Sequence, residues 1–91
     1  LALRGVGPFR GEALQWTSDP PDGLLVRVQV ANQGTQGGRA KCQLRALDAS
    51  ERVLRDWPAV SPEVPGGSTI TFEERIAGIP AAPVSVTVRC R

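Results

Sequence analysis

The chain has 91 residues, a net charge of +2, two Cys and no His, Tyr or Met. That length allows one domain, and surface scaling gives it a real but thin core, burying about 64% of the unfolded surface. Without His, the chain itself cannot build Ser-His-Asp or Cys-His nucleophile systems, nor imidazole-ligated zinc or haem.

Apolar residues make up 41% and charged residues 22%, a balance that suits a folded domain and not a disordered one. The longest uncharged stretch, between Arg75 and Arg89, is too short to span a bilayer and contains two prolines and a glycine. The chain begins at Leu1 without a leader pattern, which is expected of a domain taken from a larger protein or of a processed form. Ten of the eleven basic residues are Arg. Codon usage in a GC-rich genome explains that bias, and Arg-based recognition of an anion is the alternative.

The hydrophobic period is two throughout, which predicts strands. Leu1–Arg4 and Ala13–Thr17 are the weaker candidates, flanking a glycine-rich turn at Gly5–Gly11. Asp19-Pro-Pro-Asp-Gly23 is a turn. Leu24–Ala31 then alternates, with Val26, Val28 and Val30 on one face and Arg27 and Gln29 on the other. Asn32–Gly38 is a flexible polar loop. Ala40–Leu47 turns Cys42, Leu44 and Ala46 inward. Asp48–Glu51 makes a hairpin to a strand over Val53–Trp57. Pro62, Pro65, Gly66 and Gly67 end that arm. Ser68–Ile76 places Ile70, Phe72 and Ile76 on one face. Val84–Cys90 turns Val84, Val86, Val88 and Cys90 inward and Ser85, Thr87 and Arg89 outward. Strands at this spacing, separated by Gly and Pro and without a helical segment, predict an all-β fold. The expected form is an immunoglobulin-like two-sheet antiparallel sandwich of about seven strands, in one domain over 1–91.

Three short segments carry this pattern: Val28-Gln-Val-Ala-Asn32-Gln-Gly34, Leu44-Arg-Ala-Leu-Asp48 and Pro65-Gly-Gly-Ser-Thr-Ile-Thr-Phe72. From about Leu24 to Cys90 the chain resembles bacterial and archaeal immunoglobulin-like modules of the FxLYD and CARDB type. At the namesake stretch, Leu44, Ala46 and Leu47 replace the family's aromatic and aliphatic pattern, and Asp48 agrees with it. The resemblance implies an appended, non-catalytic domain of a surface or membrane-anchored protein.

In such a sandwich the Cys42 strand and the last strand are antiparallel neighbours, with Cys42 and Cys90 at adjoining ends. Opposed residues of a non-hydrogen-bonded pair have Cα atoms about 4.5 Å apart, close enough for a disulfide. The bond would contribute about 4 kcal/mol by closing its loop and would place the chain in an oxidising, extracytoplasmic compartment. Two buried free thiols acting as small apolar residues are the alternative. Without C-x-x-C or a helix N-terminus, redox chemistry is not expected. No metal and no cofactor are expected.

The same register would gather Lys41, Arg45, Arg89 and Arg91 on one exposed face. This is either a solvated face paired locally with Asp56 and Glu51, or a contact surface for an anionic partner. Without interleaved exposed aromatics, specific nucleic-acid binding is not expected. Three weaker patterns read as ordinary structure. Gly5–Gly11 is interrupted by Pro8 and is a turn, not a phosphate loop. Glu73 and Glu74 point to opposite faces and cannot form a catalytic pair. Asp19 and Asp22 are turn residues and not calcium ligands. One Trp is expected to be buried near the disulfide, and Trp57, just before Pro58, is expected to be the more exposed of the two.

Together these readings point to a non-enzymatic, extracytoplasmic spacer or interaction module of a larger bacterial protein. Its partners would be a protein or cell-surface component, with any membrane contact made through other parts of the full-length chain. A recognition domain for an anionic ligand and an accessory domain of an enzyme are the alternatives.

Overall fold

The computed structural model describes residues 5–91, so the strand expected at Leu1–Arg4 lies outside the described residues. Over that range the chain forms β1 (Phe9–Asp19), β2 (Gly23–Asn32), β3 (Gly38–Leu47), β4 (Val53–Val64), β5 (Thr69–Ile76) and β6 (Ser85–Cys90). These are six strands where about seven were expected. They make two antiparallel three-stranded sheets, in the orders β1-β2-β5 and β4-β3-β6. Among the described residues that matches the A-B-E and C′-C-F parts of an immunoglobulin sandwich, without strands corresponding to D and G. Across the core, β1 lies against β6 and β4 against β5.

The two central strands carry the clearest alternation because each has a neighbour on both sides and one face in the core. Val26, Val28 and Val30 of β2 are fully buried in one cluster with Ala40, Cys42 and Leu44 of β3, and Ala46 of β3 is buried as well. Ile76, Val64 and Val86 complete this layer.

The ends of the elements differ from expectation where proline and glycine were taken as stops. β4 does not end at Trp57 but runs through Pro58 and Pro62 to Val64. It is an edge strand, and an edge tolerates residues without an N–H. Between Arg39 and Lys41 the β3–β4 register shifts. There the buried Ser61 hydroxyl accepts from Ala40 N–H at 2.8 Å and donates to the Pro62 carbonyl at 2.7 Å. Ser61 thus supplies a partner where the ladder is interrupted. The Gly5–Gly11 turn is shorter than expected. Gly5 and Gly7 have φ of 80° and 73°, and β1 has begun by Phe9. Val84, expected to face inward, is 64% exposed because β6 begins one residue later.

The Asn32–Gly38 stretch, expected to be a flexible loop, is organised by Asn32, which is 2% exposed. Its Oδ1 accepts from Gly7 N–H at 3.0 Å and Gly34 N–H at 2.9 Å. Its Nδ2 donates to the Gln36 and Val64 carbonyls at 2.8 and 3.0 Å. One amide therefore joins the segment before β1, the β2–β3 loop and the end of β4, with its donors and acceptor all engaged.

Candidate functional site

Cys42 and Cys90 sit directly opposite each other on β3 and β6 and are bonded, with S–S 2.02 Å and Cα–Cα 4.0 Å. Neither thiol is free. The neighbouring pair, Lys41 and Arg91, exchanges both backbone hydrogen bonds at 2.8 Å. Cys42–Cys90 is accordingly a non-hydrogen-bonded pair, the position where side chains approach most closely. Cys42 is 4% exposed and Cys90 half-buried. Gly11 of β1 covers the bond from the facing sheet. A Cβ at Gly11 would lie 2.5 Å from Cys90 Sγ and 2.9 Å from Val88 Cγ1, so the position has no room for a side chain.

The register also pairs Gln43 with Arg89 and Arg45 with Thr87, so Lys41, Arg45, Arg89 and Arg91 all lie on the outward face. Their environments are not equivalent. Arg45 Nε is 2.8 Å from Asp56 Oδ1, directly across on β4. Both partners are about half exposed, so this pair contributes little to stability but neutralises one charge locally. Glu51, the other expected counter-charge, forms no ion pair among the described residues; it occupies a turn position with φ 61°. Lys41, Arg89 and Arg91 likewise have no ion-pair partner among the described residues.

These three line an open groove of about 1010 Å³, together with the 9–11 stretch of β1 and the 58–60 stretch of β4. Among the described residues Arg10 also lines the groove, from the facing sheet, and no Asp or Glu does. Phe9 and Val60, the latter 59% exposed, give it apolar patches. Arg10 was not identified from the sequence, because only the packing of β1 against β6 brings it there. A smaller cleft of about 280 Å³ lies at the other end of the sandwich, between Trp16 and the proline-rich 79–83 segment.

The remaining candidates are occupied structurally. Asp19 Oδ2 accepts from Arg75 Nε at 2.6 Å, and Asp22 Oδ1 lies 3.6 Å from Arg75 Nη2. The hydrogen bond to Asp19 holds the Arg75 guanidinium above its ordinary pKa. Asp22 also accepts from Gly78 N–H and so anchors the chain after β5. Glu73 and Glu74 do face opposite ways, and Glu74 turns inward to accept from Trp57 Nε1 at 3.0 Å. Trp57, expected to be the more exposed of the two tryptophans, is half-buried against the core with Arg55 5.3 Å above its ring, and Trp16 is half-buried as well. Trp57 lies opposite Leu44, one inward position along from Cys42. Among the described residues no group of three or more His, Cys, Asp or Glu could hold a metal ion.

No family model, curated protein or solved structure matches the chain.

Proposed function

We infer that the chain is a non-catalytic extracytoplasmic β-sandwich module of a larger membrane-anchored or secreted protein, serving as a spacer or as an interaction domain for a protein or surface polymer. The Cys42–Cys90 bond carries this reading, because such bonds persist in oxidising compartments and staple small domains with thin cores. A second reading, recognition of an anionic partner, is favoured by a groove that, among the described residues, is lined by Arg10, Lys41, Arg89 and Arg91 and by no Asp or Glu.

The test is to fractionate cells that make the full-length protein naturally, alkylate without reductant and measure the intact mass of the chain. The reading predicts an extracytoplasmic protein that gains no alkyl group until it is reduced. Recovery from the cytoplasm with both cysteines alkylated would overturn it.

A further inference from the structure

The outer face of the β4-β3-β6 sheet concentrates the positive charge of the chain. On its strands, among the described residues, stand Arg39, Lys41, Arg45, Arg89 and Arg91, with two carboxylates, Asp56 and Glu63. That excess of cations is larger than the net +2 of the whole chain, so the remaining surface is slightly acidic. Each of these side chains is exposed. The face does not depend on what lies beside β6, because a strand paired there would extend the sheet in its own plane.

The cations are ordered. Arg39, Lys41, Gln43 and Arg45 follow one another on the outward side of β3, and Arg89 lies beside Gln43 on β6. Every outward row from Arg39 to Arg45 thus holds at least one cation, with Arg91 a second one beside Lys41. Rows on one side of a strand repeat at about 6.8 Å, so the stripe runs for about 20 Å along β3 and β6. Like charges set side by side repel, so the stripe is incomplete without an anion. From β4, Asp56 meets Arg45 at 2.8 Å and Glu63 stands opposite Arg39. Lys41 and Arg89, in the middle, have no ion-pair partner among the described residues.

The row spacing selects a linear polyanion. A polyol phosphate chain has about six backbone bonds between successive phosphorus atoms, which extend to about 7 Å at bond lengths near 1.5 Å. That places one phosphate at each row. A stacked nucleic-acid strand advances only about 3.4 Å per phosphate. Among the described residues no aromatic side chain stands on this face to compensate for unstacking. A flat anionic membrane would press Asp56 and Glu63 against its headgroups, whereas a chain lying along β3 and β6 passes beside them.

We propose that the outer face of β3 and β6 binds a linear polyol-phosphate polymer, with one phosphodiester at each row from Arg39 to Arg45. Lys41 and Arg89 hold the central phosphates, Arg89 through its guanidinium fork and Lys41 as a point charge. Arg39 and Arg45 hold the flanking ones. This rests on the anionic-partner reading and names the ligand's chemistry.

The test uses the oxidised chain and a fluorescent glycerol phosphate oligomer of about eight repeats, read by anisotropy at about 0.1 M salt, where charges are screened beyond about 10 Å. Competitors of equal total charge are an oligouronate, whose carboxylates recur at a shorter repeat, oligodeoxyadenylate, and phosphatidylglycerol vesicles. The Lys41→Glu/Arg89→Glu variant reverses the middle of the stripe. The Arg27→Glu/Arg52→Glu variant makes the same change in net charge elsewhere. Both are checked for folding by tryptophan fluorescence. The glycerol phosphate oligomer should bind, and none of the competitors should match it. The stripe variant should weaken binding at least about tenfold, the effect of opposing two unit charges at contact distance. The Arg27→Glu/Arg52→Glu variant should stay within about threefold of the parent, its charges lying off the stripe.

Equal or tighter binding of the oligouronate or of oligodeoxyadenylate would overturn the proposal, as would displacement of the oligomer by the vesicles; each leaves the anionic-partner reading standing. An equal loss in the two variants would overturn it too, since net charge alone would then be responsible. If no probe binds, this proposal and the anionic-partner reading fall together. The module reading is untouched by these outcomes, because it falls only on the thiol state and cell fraction.

Discussion

Asn32→Ala is the most informative single change to the fold. The side chain is 2% exposed and makes four hydrogen bonds, at 2.8 to 3.0 Å, to three separate segments. Each such bond has a net worth of about 1 kcal/mol, and a buried partner left unsatisfied costs about 1–3 kcal/mol. Water can reach part of the vacated site through the exposed Gln33 and Thr35 side of the loop, so the lower half of that range applies. The expected loss is about 3–4 kcal/mol, a large share of the 5–14 kcal/mol that a domain of this length carries.

Urea unfolding of the oxidised protein, followed by the fluorescence of Trp16 and Trp57, measures the loss. Asn32→Asp provides a second readout. Its carboxylate would face the Gln36 and Val64 carbonyls where the amide now donates. The introduced carboxyl is easier to bury protonated, so the folded state holds its proton more tightly than the unfolded state. Stability relative to the parent should therefore fall as pH rises through the carboxylate range and recover in acid. An Ala variant within about 1 kcal/mol of the parent at unchanged m-value would refute the role assigned to this amide.

Three further outcomes are expected. Gly11→Ala should destabilise by about 1–3 kcal/mol in urea, since its methyl would press on Cys90 Sγ and Val88; a neutral result would mean that β1 does not pack this closely. Ser61→Ala should cost about 1–2 kcal/mol by leaving Ala40 N–H unpaired, measured as a shift in the urea midpoint. A double-mutant cycle on Arg45 and Asp56 should give a coupling below about 1 kcal/mol, as for other solvent-exposed ion pairs.

What could be read from the sequence was whatever depended on alternation. Val26, Val28 and Val30, and Cys42, Leu44 and Ala46, declare their faces by parity, because both strands are central and one face of each is buried. Parity turned Cys42 and Cys90 inward, and the expected neighbouring of their strands in a sandwich set them opposite each other, with the register of Arg45, Arg89 and Arg91 following. Properties set by tertiary context were not readable in the same way. Pro58 and Pro62 look like stops unless β4 is known to be an edge. Trp57 looked the more exposed tryptophan because it precedes a proline, although it shares inward parity with Ala59 and Ser61. Asn32 followed by Gln and Gly has the chemistry of a loop, and nothing local shows that three segments converge on its amide. Arg10 lies far from Arg89 in sequence and joins the groove only when the sheets pack.

The extracytoplasmic reading proposed above rests on the bond between Cys42 and Cys90 stapling a thin core. The bond closes a loop with a sequence separation of 48, for which chain entropy gives about 4 kcal/mol. Equilibrium unfolding in urea with and without reductant tests this directly. The account predicts that the reduced chain is less stable by about 4 kcal/mol. Equal stability of the two forms would contradict it.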